Sequence, residues 1–101
     1  MRILVIDTAT QALSVALLDD GVPAGHFHEI VGRGHAEALM PAIAALPDGG
    51  RADAIAVDLG PGSFTGVRIG IAAARALALA WSIPLKGYGA LSLIAAKAAQ
   101  E

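Results

Sequence analysis

The sequence predicts one α/β domain, a mixed five-stranded sheet flanked by helices in the order β-β-β-α-β-α-β-α. Three observations carry that prediction. Two short apolar runs, Ile3 to Ile6 and Ala54 to Val57, each end on an aspartate and read as strands buried on both faces. Between them, alternating segments flank Asp19-Asp20-Gly21, the pattern of an antiparallel hairpin. After them, Gly60-Pro61-Gly62-Ser63-Phe64-Thr65-Gly66-Val67-Arg68-Ile69-Gly70 opens the longest apolar helical pattern in the chain. A hairpin flank followed by strand–turn–helix units calls for parallel crossovers on one sheet.

Taken in order, the first strand runs from Ile3 to Ile6, and Asp7-Thr8-Ala9-Thr10 forms a polar turn at its carboxyl end. Leu13, Val15 and Leu17 alternate with Ala12, Ser14 and Ala16 in the second strand. Val22 to Val31 returns as the third, where Pro23, His26, His28 and Glu29 suit an edge. Leu39, Met40, Ile43 and Leu46 lie at helical spacing, so a helix starts near His35 and runs to Leu46, with Pro41 close to its first turn and bending it. Pro47-Asp48-Gly49-Gly50 ends that helix. Ala54 to Asp58 is the fourth strand, Ser63 to Trp81 the second helix, Pro84 to Tyr88 the fifth strand, and Ala90 to Ala99 a last helix. This arrangement resembles a ribonuclease H-like lobe, the half-unit of the actin-like ATPase (ASKHA) fold.

Composition narrows the function classes. A hydrophobic fraction of 55% with only 16% charged residues leaves more apolar surface than one small domain hides, which predicts a partner subunit or a neighbouring domain. The net charge of −2 supplies no basic field for nucleic acid. There is no cysteine, hence no disulfide, thiolate metal site or Cys nucleophile. The run from Ile69 to Ile83 is interrupted by Arg75, is followed by Pro84, and falls short of the ~20 apolar residues that span a bilayer. The chain enters a strand directly, with no apolar leader segment, so a cytoplasmic protein without membrane contact is expected.

The glycine-rich turn places backbone N–H groups at a helix N-terminus, where an anion can be held, with Ser63 and Thr65 as capping oxygens. Its spacing is neither a Walker A loop nor Gly-x-Gly-x-x-Gly. Asp7, Thr8, Thr10, Gly60, Gly62, Ser63 and Thr65 are the nucleotide or phosphate candidates, and a plain tight connection explains the turn equally well. Asp7 and Asp58 converge at one sheet edge, where two carboxylates suit Mg²⁺ or acid–base work. Polar strand termination is the favoured reading, and no metal ligand is assigned. The absence of a well-placed third carboxylate argues against a ribonuclease H-type nuclease. His26 and His28 share one face of an edge strand, a zinc-compatible spacing without a third ligand nearby, so they read as solvated edge residues. His35, at a helix start, reads as a capping or interface residue. In the second helix Gly66, Gly70, Ala74 and Ala78 recur every fourth residue as a flat strip, suited either to the domain's own sheet or to a partner helix. Arg68 and Arg75 share another face, as a solvated edge or as a rim for an acidic partner.

Ile6-Asp7-Thr8-Ala9-Thr10, then Ser14-Val15-Ala16-Leu17, then His35-x-x-x-Leu39-x-Pro41-x-Ile43 and the Gly60 to Gly70 motif together resemble the bacterial TsaB (YeaZ) family, formerly labelled M22 glycoprotease homologues. The matches cover nearly the whole chain, and the last motif is the most specific. The resemblance implies a non-catalytic scaffold in threonylcarbamoylation of tRNA adenosine 37 (t6A). It further implies dimerisation with a TsaD-like catalytic subunit, recruitment of a TsaE-like ATPase, a homodimer in isolation, and tRNA reached only through the complex. No cofactor is expected on this chain, ATP and Mg²⁺ serving the partner subunits. The catalytic relative carries His-x-x-x-His; here His35 is followed by Leu39, so one ligand is missing. The implied interface is formed by both helices and comprises His35, Leu39, Ile43, Gly66, Arg68, Gly70, Ala74 and Ala78. The resemblance implies a two-lobe architecture, of which residues 1–101 are expected to be the first lobe, with the second absent. The alternatives are a nucleotide-dependent transferase or M22-like metallopeptidase built on Asp7 and the Gly60–Gly66 turn, or an isolated self-associating lobe.

Overall fold

The computed structural model describes residues 1–32, 34–62 and 64–89. Strands β1 (Arg2–Asp7), β2 (Ala12–Asp19) and β3 (Val22–Ile30) are followed by helix α1 (His35–Ala44) and a short 3-10 turn (Pro47–Gly50). Strand β4 (Ala54–Asp58), helix α2 (Phe64–Trp81) and strand β5 (Leu85–Tyr88) complete the described elements. The helix expected over Ala90 to Ala99 lies outside the described residues.

The sheet order is β3-β2-β1-β4-β5. The β1–β2 and β2–β3 pairs are antiparallel, and the β1–β4 and β4–β5 pairs are parallel, giving the mixed sheet that the sequence predicts. Period-two alternation decides which face is covered. Leu4 and Ile6 of β1, Leu13, Val15 and Leu17 of β2, and Ile55 and Val57 of β4 are buried in one cluster with Leu39 and Ile43 of α1 and Ala74 and Ala78 of α2. Helix α1 packs against β2, α2 packs against β1, β4 and β5, and the two helices touch. Strand β3 is an edge, and most of its residues are exposed.

Two boundaries differ from expectation. Helix α1 ends at Ala44 because Pro47 cannot continue it, and Leu46 is buried from the connecting segment instead. Pro41 lies in the second turn of α1, further in than expected, on an exposed position. At the amino end of β1, Arg2 bonds Asp48 at 2.5 Å and lies 3.5 Å from Asp19, surface pairs of little weight in stability.

Candidate functional site

Two polar turns meet at the carboxyl end of β1 and β4. The register Ile6↔Val57 brings Asp7 and Asp58 side by side one step further on. Each caps its own turn: Asp7 Oδ1 accepts the Ala9 N–H at 3.0 Å, and Asp58 Oδ1 accepts the Gly60 N–H at 2.8 Å. Asp58 is only 3% exposed. Burial pushes its carboxyl above the ordinary carboxylate range, and the adjacent Asp7 pushes the same way, against the Gly60 N–H that favours the anion. Tyr88, paired with Asp58 from β5, is the third member. Burial, then Asp7 and Asp58, raise its phenol above the usual value. The alternation of β5 up to Tyr88 is visible in the sequence, but the register that sets Tyr88 beside Asp58 is not.

The turns also hold helix α2. Thr8 is 1% exposed, and its Oγ1 donates to the Gly66 carbonyl at 2.5 Å. A Cβ at Gly70 would run into that same hydroxyl, so glycine is what lets the first turns of α2 sit on the end of β1. Gly62 backs onto Ala9 in the same way, where an added Cβ would collide with the Ala9 carbonyl and lie 2.8 Å from the Ala9 Cβ. The glycine-rich stretch is therefore fitted to the neighbouring turn.

This geometry places two sets of sequence candidates. Of the phosphate candidates, Asp7, Thr8, Gly60 and Gly62 are spent on turn capping and close packing, while Thr10 and Thr65 are exposed; Ser63 lies outside the described residues. Thr10 Oγ1 accepts the Ala12 N–H at 3.1 Å, closing its own turn. Of the interface candidates, His35, Leu39, Ile43, Gly66, Gly70, Ala74 and Ala78 are buried, and Arg68 alone is exposed. The Gly66–Ala78 strip faces the domain's own sheet, because only small residues allow an 18-residue helix to lie this close to β1 and β4. His35 is 4% exposed, and its Nε2 donates to the Ala12 carbonyl at 3.3 Å, tying the start of α1 to β2. His28 Nδ1 meets Ser14 Oγ at 2.5 Å, and no three His, Cys, Asp or Glu side chains among the described residues are placed to hold a metal ion.

A cavity of about 680 Å³ opens beside the starts of both helices, lined by Thr10, Gln11, His35, Thr65, Gly66 and Ile69. Thr10, Thr65, His35 and Gly66 are sequence candidates; Gln11 and Ile69 were not foreseen, although Gln11 extends the polar turn after β1. The outward side of α2 carries Arg68, Ala72, Arg75, Ala76 and Leu79, and Leu79 is 83% exposed. No helix among the described residues is long and apolar enough to cross a membrane.

Comparisons with known proteins agree with this architecture. Residues 22–101 match the family model described as TsaD: tRNA N6-adenosine threonylcarbamoyltransferase. The Escherichia coli tRNA threonylcarbamoyladenosine biosynthesis protein TsaB is 46% identical over 100 residues, covering 94% of this chain and 43% of that protein. The structure of YeaZ from Pseudomonas aeruginosa superposes with a TM-score of 0.85 at 39% identity, covering 99% of this chain and 49% of that one. Thermus thermophilus RuvC, with a TM-score of 0.60 at 14% identity over 88% of this chain and 64% of that one, supports the ribonuclease H-like fold alone. The chain spans about half the length of the curated relatives it matches. With the motif from Gly60 to Gly70 and the sheet order in agreement, the chain belongs to the TsaD-type family, on its TsaB (YeaZ) side.

Proposed function

We propose that this chain is a non-catalytic scaffold subunit in threonylcarbamoylation of tRNA adenosine 37, docking on a TsaD-like catalytic subunit. The observation that carries this reading is the match to relatives named for threonylcarbamoyladenosine biosynthesis across more than nine-tenths of the chain. The site chemistry supports the non-catalytic part. Asp7, Thr8, Asp58, Gly60 and Gly62 are engaged in holding turns together, and Leu39, where the catalytic relative's motif has its second histidine, is a core residue.

The docking face in this proposal is the outer side of the helix pair. Ala72, Ala76 and Leu79 present an exposed apolar stripe on α2, on the same side of the helix as Arg68 and Arg75. Its occupant is the TsaD-like subunit. A partner of the same lobe fold offers an equivalent helix pair, which is why this face in isolation would pair with a second copy. A TsaE-like ATPase is recruited to the resulting complex, ATP and Mg²⁺ act on the partner subunits, and tRNA is met through the assembly in the cytoplasm. Gel filtration of the full chain mixed with a TsaD-like subunit tests the reading. Co-elution as a stoichiometric complex is the expected result, and separate elution at micromolar concentrations would overturn it.

A further inference from the structure

Asp7 and Asp58 end adjacent parallel strands one step beyond the Ile6↔Val57 pair, so they stand side by side, and Asp58 is nine-tenths or more buried. Two such carboxylates cannot both carry full charge without strong repulsion. We propose that the folded chain holds one proton between Asp7 and Asp58, and that this proton clamps the turn of residues 7–10 to the turn of residues 58–62. Each aspartate already accepts an N–H from its own turn, from Ala9 and from Gly60, so a shared proton links the two turns directly.

The surroundings favour the protonated pair. From β5, Tyr88 stands beside Asp58 and is neutral at ordinary pH, and Lys86 lies two residues back, opposite Ala56. From α2, the basic residues Arg68 and Arg75 are exposed, on a different side of the helix from the buried Gly66 and Gly70. The direction of the Asp58 shift agrees. Its sign is fixed by linkage. The folded chain binds this proton more tightly than the unfolded chain does. The contribution is therefore fully present below the ordinary carboxylate value of 3.8 and is lost as pH rises through the higher folded value. The clamped turns also carry Thr8, which holds Gly66, and Thr10, so the same proton steadies the wall of the cavity that Thr10, Thr65 and Gly66 line.

Carboxyl-carbon NMR of the full chain between pH 3 and 9 tests this without any substitution. The Asp58 carbon should keep the shift of a protonated or proton-sharing acid to well above the ordinary range, with the Ala9 and Gly60 amide signals moving in step. Asp58→Asn, whose amide mimics the protonated acid, should flatten the dependence of melting temperature on pH and melt higher than the wild type at pH 8. A tenfold difference in proton affinity between folded and unfolded chains corresponds to roughly 5–10 °C in a domain of this size. Asp7→Asn should flatten the profile from the other side. An Asp58 carbon that titrates in the ordinary carboxylate range would overturn the proposal, as would an Asp58→Asn protein that melts below the wild type at pH 8.

Discussion

Gly70→Ala is the substitution that most directly interrogates how α2 meets the sheet. A Cβ at this position has ordinary contacts with Val57 Cγ2 at 3.5 Å and Ile6 Cγ2 at 3.6 Å, but it collides with Thr8 Oγ1. Thr8 is 1% exposed and its hydroxyl is bonded to the Gly66 carbonyl, so it has nowhere to go without breaking that bond. Losing a buried hydrogen bond costs about 1–3 kcal/mol, and overpacking costs a further ~1–3 kcal/mol. Alanine's better helix propensity returns about 1 kcal/mol. The expected net is a destabilisation of about 3 kcal/mol, read as a lower urea midpoint at unchanged slope. Thr8→Ala removes the obstacle, so adding Gly70→Ala in that background should cost less than about 1 kcal/mol. The difference is a coupling energy between two residues 62 positions apart in the numbering sense of the chain but in contact in the fold. A neutral Gly70→Ala, or one whose cost is the same with and without the Thr8 hydroxyl, would refute inward packing of the strip.

Three other outcomes are expected. Gly62→Ala should destabilise by ~1–3 kcal/mol, because its Cβ would meet backbone of the Ala9 turn rather than a flexible side chain; urea denaturation checks this. Leu79→Asp, at an 83% exposed position, should leave stability within about 0.5 kcal/mol while abolishing co-elution with a TsaD-like subunit. Calorimetric titration with ATP–Mg²⁺ should give no saturable binding, whereas micromolar binding abolished by Asp7→Ala would favour the nucleotide-dependent transferase.

The sheet was legible in the sequence because its signals are local. Period-two alternation in Leu13, Val15 and Leu17, the Asp19-Asp20-Gly21 turn, and the apolar runs ending at Asp7 and Asp58 need no tertiary knowledge. The direction of the small-residue strip was not local. Gly66, Gly70, Ala74 and Ala78 define a flat helix side, but the same flatness serves a sheet or a partner helix. What decides between them is the Thr8 hydroxyl, supplied by a turn far away in sequence. Helical spacing likewise marks His35, Leu39 and Ile43 as a shared side without saying what covers it, and within the lobe all three are buried, Leu39 and Ile43 in the core cluster. On the opposite side of the same helix Ala72, Ala76 and Leu79 are exposed, which the spacing of the glycines does not reveal. Asp7 and Asp58 were paired correctly from strand ends alone, whereas Tyr88 required the parallel register of β5.

The most direct test of the central claim is nucleoside analysis of tRNA from cells in which the gene for this protein is depleted. Threonylcarbamoyladenosine should be lost from tRNAs that read codons beginning with A, and re-expression of the protein should restore it. Undiminished threonylcarbamoyladenosine in the depleted cells would contradict the assignment to this pathway.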